Sequence, residues 1–209
     1  MDRRQEGEGH HSDGELLAAF LAGDEVAFAT LVGRYGPELY QFIARFVQNS
    51  AAAEDVVQET FAQVHQSAAG FDLARRFRPW LFTIAANKAR DHLRSRARKR
   101  EVSLNAGHHS AAQDEGVSYL DFLADDSLSP HEALEGEEQR EAVRKIVSQM
   151  PDHLREILVL GYYQRFPYKE IAEVLAIPLG TVKSRLHAAV SHFAAAYRRE
   201  TLRQTRADA

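Results

Sequence analysis

The 209-residue sequence contains no cysteine, which excludes disulfides, thiolate zinc sites and cysteine nucleophiles. It has no apolar run of about 18 or more residues, the length a membrane-crossing helix needs, so no direct membrane insertion is expected. Met1 to Ser12 is polar and mixed in charge, without the apolar stretch of a secretory signal, and the expected location is the cytoplasm. Strand-like alternation of useful length is missing throughout. Ten histidines remain as possible metal ligands. His10 with His11, and His108 with His109, are adjacent pairs in polar, glycine-containing stretches, whereas helical metal sites place ligands at i and i+3 or i+4. No metal is therefore expected; nor is another cofactor or a small-molecule substrate. With 44% hydrophobic and 27% charged residues the chain is globular, long enough for one medium domain or two small ones.

A formal charge of -4 fits a nucleic-acid binder poorly until it is divided along the chain. From Arg75 to Arg100 the basic residues are Arg75, Arg76, Arg78, Lys88, Arg90, Arg94, Arg96, Arg98, Lys99 and Arg100, against the single acid Asp91. From Asp114 to Glu141 the sign reverses, with acids at 114, 115, 121, 125, 126, 132, 135, 137, 138 and 141 against one base, Arg140. A polyanion is drawn to the first segment and repelled by the second.

Helix signals dominate. Ser12 and Glu15 form a capping box ahead of Leu16, Leu17, Phe20 and Leu21. Gly23 breaks that helix, and Asp24 caps a second carrying Phe28, Leu31, Val32 and Tyr35 at i, i+3, i+4 and i+7. Gly36 and Pro37 predict a break and the start of a third helix, and Ser50 is the expected cap of a fourth that runs to about Ala68. Pro79 opens a fifth, with Trp80, Leu81, Ile84, Ala85 and Leu93 on its apolar face. Between Val102 and Ser129 no apolar period is sustained and a linker is expected, although its short run Tyr119, Leu120, Phe122, Leu123 is apolar enough to dock on a surface. Ser129, Pro130 and Glu132 start a helix reaching Met150, followed by three more, broken at Pro151, around Phe166 and Pro167, and at Ile177 and Pro178.

Three constellations carry function. Tyr168 to Ala189 reads as a helix-turn-helix: a short helix packs by Ile171, Ala172 and Leu175, and a longer one packs by Val182 and Leu186. Thr181, Lys183, Ser184, Arg185 and His187 then point outward, where Lys and Arg bond guanine edges in a major groove and hydroxyls hold phosphates. The usual turn glycine is replaced by Ala176, a mild cost if that residue has positive φ. In the fourth helix, Asp55, Gln58, Glu59 and Ala62 form a stripe apart from the buried Val56, Val57, Phe61 and Val64; by itself the stripe is either a solvated face or a protein-docking surface. The basic helix sets Asn87, Arg90, Arg94 and Arg98 on one face, suited to tracking phosphates and reading unpaired bases, while Trp80 serves as core or as a stacking platform.

Together, the runs AAEDVVQETFAQVHQSAAGFD, RPWLFTIAANKARDHLRSRARKR and MPDHLREILVLGYYQRFPYKEIAEVLAIPLGTVKSRLH resemble regions 2 and 4 of sigma-70 family RNA polymerase sigma factors of the extracytoplasmic-function group, over roughly residues 14–100 and 132–198. The resemblance implies an all-α fold of two helical domains: a tail (1–13), region 2 (14–100), a flexible acidic linker (101–129), region 4 (130–200) and a second tail (201–209). It implies a non-catalytic subunit that binds core RNA polymerase, through the β′ clamp helices and β flap, and directs initiation at promoter DNA. Asp55, Gln58 and Glu59 would dock on the clamp helices. Arg75, Arg76, Arg78, Trp80, Asn87, Lys88, Arg90, Arg94 and Arg98 would hold the minus-ten element, with Asn87 and the loop before it capturing a flipped base. Thr181, Lys183, Ser184, Arg185 and His187 would read the minus-thirty-five element. An anti-sigma factor is the expected regulator, and the acidic linker would pass near the template and RNA exit path as a nucleic-acid mimic.

The sequence departs from that pattern after His187, where Ala188, Ala189, Val190, Ser191, His192 and Phe193 replace the usual basic residues, implying a weaker grip on the minus-thirty-five backbone. The competing readings are a conventional regulator that binds duplex DNA without polymerase, and a metal-dependent nuclease built on Glu54, Asp55 and Glu59.

Overall fold

The computed structural model describes residues 11–105 and 130–207, and the regular elements among them are all helical. Helix α1 (Asp13–Leu21) starts on the expected capping box: Ser12 Oγ accepts from the Glu15 N–H, and the Glu15 carboxylate accepts from the Ser12 N–H at 2.7 Å. The Ser12 N–H, and after it the Ser12 hydroxyl at 2.9 Å from the same carboxylate oxygen, hold the Glu15 carboxyl below its ordinary pKa. Gly23, at φ 102°, turns the chain, and Asp24 caps α2 (Glu25–Val47) by accepting from the N–H groups of Val26 and Ala27.

The break expected at Gly36 and Pro37 does not occur, because α2 runs through Pro37 as one helix. Pro37 is exposed, while Leu31, Tyr35, Leu39, Phe42, Ile43 and Phe46 form one buried stripe that continues across it. Burying each large side chain is worth about 1.5–3 kcal/mol, and several on one stripe outweigh the proline's cost of about 3 kcal/mol. The cap of α3 (Ser50–Ser67) is Asn49, one residue earlier than expected; its side chain accepts from Ala52 N–H at 2.7 Å. A 3-10 turn over Ala68–Gly70 follows, and then α4 (Phe77–Asn105), which starts two residues before Pro79 and extends five residues into the expected linker. The remainder of that linker, with the Tyr119–Leu123 run, His108, His109 and the acidic segment from Asp114 to Ser129, lies outside the described residues.

The second half comprises α5 (Pro130–Ser148), α6 (Asp152–Leu158), a π-helical turn (Val159–Tyr163), α7 (Tyr168–Leu175) and α8 (Leu179–Ala207). Helix α8 carries on through most of the expected C-terminal tail. Gly161 sits where α8 comes closest to the π turn: a Cβ there would lie 3.2 Å from the Leu186 side chain. Helices α1–α4 enclose Leu17, Leu31, Phe42, Val64 and Phe82, and α6–α8 enclose Ile157, Leu160, Ile171, Val174 and Val182. The two cores join into one buried cluster, with Phe82 of α4 edge-on to Phe166, 4.9 Å between ring centroids.

Candidate nucleic-acid interface

The helix-turn-helix forms as expected. Ile171, Leu175, Val182 and Leu186 are buried, Lys183, Ser184 and His187 are exposed, and Thr181 and Arg185 are half-buried. Ala176 closes α7 in the left-handed conformation, φ 52° and ψ 45°, and its N–H caps the helix. Of the apolar residues that replace the usual basic run, Ala189 is fully buried and Phe193 stacks on Tyr197 with centroids 5.9 Å apart, while Ala188 and Val190 are exposed. Further along, Glu200 pairs with Lys145 of α5 at 2.7 Å.

On α3 the stripe Asp55, Gln58, Glu59 and Ala62 is exposed, opposite buried Val56, Phe61 and Val64. Glu59 approaches Lys88 of α4 at 3.7 Å, so residues assigned to two different partners are neighbours. Among the described residues no group of three or more potential ligands is placed to hold a metal ion. Trp80 is half-buried and packs on Phe71 and Phe77, at 4.4 and 5.8 Å between centroids. Asn87, Arg94 and Arg98 are exposed, with Arg94 bonded to Asp91 at 2.8 Å.

Three of the remaining cations assigned to minus-ten DNA, Arg76, Arg78 and Arg90, turn toward the second half of the chain. The Arg78 guanidinium lies 3.8 Å from the Phe166 ring centroid and bonds the Gln164 carbonyl oxygen at 2.8 Å; it also pairs with Glu38 of α2. Arg76 pairs with Glu170 at the start of α7. Arg90 Nε lies 3.1 Å from Glu156 Oε1 but donates its hydrogen to the Ala86 carbonyl oxygen, so that ion pair carries no hydrogen bond. Burial pushes the Glu156 carboxyl up to about 7, against the opposing pull of Arg90 and Arg185. A cleft of about 650 Å³ opens at this seam, lined in part by Arg75, Arg76, Arg78, Asp13 and Glu170. Glu38, Glu156, Gln164, Phe166 and Glu170 escaped the sequence reading, because no local pattern indicates pairing across 40 to 126 residues.

A two-part helical chain with a basic helix in one half and a helix-turn-helix in the other defines a DNA-binding protein of the class that reads two separated elements. Residues 31–99 match the model of Sigma-70 region 2, and residues 140–193 match Sigma-70, region 4. The ECF RNA polymerase sigma factor SigW of Bacillus subtilis (strain 168) is 34% identical over 165 residues, covering 79% of this chain and 86% of that one. The solved structure of CnrH with the cytosolic domain of CnrY is similar at 26% identity and a TM-score of 0.62, covering 88% of this chain and 96% of that one. The fold is also shared with the sigma factor RpoE of Bartonella quintana, solved with the anti-sigma factor NepR, at 21% identity and a TM-score of 0.60 over 82% of this chain and 96% of that one. The chain belongs to the extracytoplasmic-function group of the sigma-70 family. It is a non-catalytic specificity subunit of RNA polymerase that directs promoter-specific initiation. Both the conventional regulator and the nuclease are thereby set aside.

Proposed function

We propose that this sigma factor docks on the β′ clamp helices of core polymerase through Asp55, Gln58 and Glu59, while region 4 engages the β flap. The observation that carries this reading is the exposure of the α3 stripe: Asp55, Gln58 and Glu59 face solvent, while Val56, Phe61 and Val64 of the same helix are buried. The face of α4, with Asn87, Lys88, Arg94 and Arg98 joined by Arg75, Arg76, Arg78, Arg90 and Trp80, holds the opened minus-ten element. Unstacking there costs about a few kcal/mol per step, offset by base capture and phosphate contacts. Thr181, Lys183, Ser184, Arg185 and His187 read the minus-thirty-five element in the major groove. Residues 14–100 and 130–200 are the working domains, and the acidic linker between them runs along the nucleic-acid path of the polymerase.

The likeness to a sigma factor solved with an anti-sigma factor supports a protein inhibitor of the same kind here, acting in the cytoplasm. No described helix is long and apolar enough to cross a membrane. The deciding experiment is promoter-dependent transcription with purified core polymerase and an Asp55→Arg/Glu59→Arg variant. The variant abolishes specific transcripts and co-elution with core if the stripe is the docking surface; full transcription by it rejects the assignment.

A further inference from the structure

Glu156 is 5% exposed on α6, and its Oε1 accepts no hydrogen bond from any described residue. Arg90 does not supply one, because that guanidinium gives its Nε hydrogen to the Ala86 carbonyl oxygen. Arg90, Arg94 and Arg185 attract the carboxylate and Asp152 repels it, yet burial outweighs the attraction and pushes its pKa up to about 7. The ionised carboxylate is thus a cost to the fold, at a site where the glutamine amide has nearly the same shape. A buried group that destabilises the fold is a candidate for function. Of the cations that attract it, Arg90 and Arg94 belong to α4, and Arg185 belongs to α8, in the same half as Glu156. Arg185 follows buried Val182 by three residues and precedes buried Ala189 by four, which puts it on the flank of α8 that turns toward the core. It is half-buried, whereas Lys183, Ser184 and His187 are exposed. Its guanidinium shares no hydrogen bond with any described residue, so its N–H donors stay open.

We propose that Glu156 is a positioning residue for minus-thirty-five recognition: from α6, which packs against α8, its carboxylate draws the Arg185 guanidinium to one side of the recognition helix and fixes the direction in which it meets a guanine edge. The inference rests on the assignment of Arg185 to the minus-thirty-five element. An arginine on a helix surface samples many rotamers, and ordering it on DNA opposes binding. A fixed negative charge in a poorly solvated site narrows that choice before DNA arrives. Because the attraction acts at longer range than a hydrogen bond, it orients the side chain and leaves its paired N–H groups for the O6 and N7 acceptors of guanine. Glutamine keeps the shape and the burial and removes the charge, so it separates positioning from packing.

The test is filter binding of holoenzyme, assembled from core polymerase and the full-length chain, at pH 8, where the Glu156 carboxylate is ionised. Two versions of a promoter fragment that the holoenzyme transcribes are compared, one with its minus-thirty-five element intact and one with that element replaced. The ratio of the two affinities is the readout. Arg185→Ala should lower the ratio by about tenfold or more. Glu156→Gln should lower it by about fivefold, while the fragment without the element is bound as before. In the Arg185→Ala background Glu156→Gln should have no further effect, because the group it positions is gone. Urea titration at the same pH should show Glu156→Gln more stable than the unsubstituted chain, a direction opposite to the loss of discrimination and one that a merely structural role would not produce. An undiminished ratio for Glu156→Gln, losses that multiply in the double variant, or equal weakening on both fragments would overturn the proposal. An unchanged ratio for Arg185→Ala removes the assignment of Arg185 to DNA, and the proposal with it. A loss for Arg185→Ala alone keeps that assignment and removes only the positioning.

Discussion

Ala176 is the residue at which the helix-turn-helix can be improved by a single methyl deletion. It closes α7 at φ 52° and ψ 45°, a conformation that costs a residue with a Cβ about 1–2 kcal/mol. Glycine removes that cost but gives the unfolded chain more freedom, worth about 0.4–1 kcal/mol in the opposite direction. The methyl is exposed, so its loss forfeits little burial. Ala176→Gly should therefore stabilise the protein by roughly 1 kcal/mol, the difference between those two effects. Scanning calorimetry reads the gain, and its size carries further information. If the whole chain melts as one unit the shift is about 2–4 °C, whereas a C-terminal half melting alone shifts by about 4–8 °C. Ala176→Val is the opposing control, since a branched side chain is still less tolerant of positive φ, and should melt lower. A glycine variant that melts at or below the unsubstituted protein would refute the reasoning.

Other perturbations test other links. The Glu156 carboxyl, raised to about 7 in the folded protein from about 4.5, makes the folded state bind the proton more tightly than the unfolded one. Stability from this group is complete below pH 4.5, declines as pH rises toward 7 and is flat above, so Glu156→Gln should stabilise at pH 8 by up to about 3 kcal/mol and by almost nothing at pH 4.5 in urea titrations. Ser12→Ala, which removes the α1 capping box, should cost about 1 kcal/mol in the same titration. Phe42→Ala, at a fully buried position, should cost about 3–5 kcal/mol and lower expression of folded protein. Lys183→Ala should weaken holoenzyme binding to a promoter with a minus-thirty-five element by about 1–3 kcal/mol, while leaving a promoter fragment without that element unaffected in a filter-binding assay.

What the sequence disclosed, it disclosed through local physics. The Ser12–Glu15 box, the Asp24 cap and the Ile171, Leu175, Val182, Leu186 pattern each depend on residues within a few turns of one another, and each is present. The stop expected at Pro37 failed because a stripe of tertiary contacts overrode a local preference. The π turn at Val159–Tyr163 has no single-residue marker, and its one visible trace is Gly161, which leaves room for Leu186. The candidate residues on α3 and α8 were legible as polar stripes set apart from buried apolar ones, although Thr181 and Arg185 are half-buried. The allegiance of Arg76, Arg78 and Arg90 was not: a basic residue at helical spacing looks the same whether it awaits a phosphate or already holds Glu170, the Gln164 carbonyl or Glu156.

The proline inside α2 also has a mechanical meaning. Pro37 offers no N–H to the carbonyl of Gly33, so the helix has one missing rung between two halves with different neighbours. Before it, Phe28 packs with Phe20 and Phe61; after it, Glu38, Phe42, Arg45 and Phe46 meet Arg78, Phe82, Tyr163 and Arg155. One helix thus ties the packing of α1 and α3 at its start to that of α4 and the second half at its end, and a substitution at either end is felt through a single continuous stripe of buried side chains.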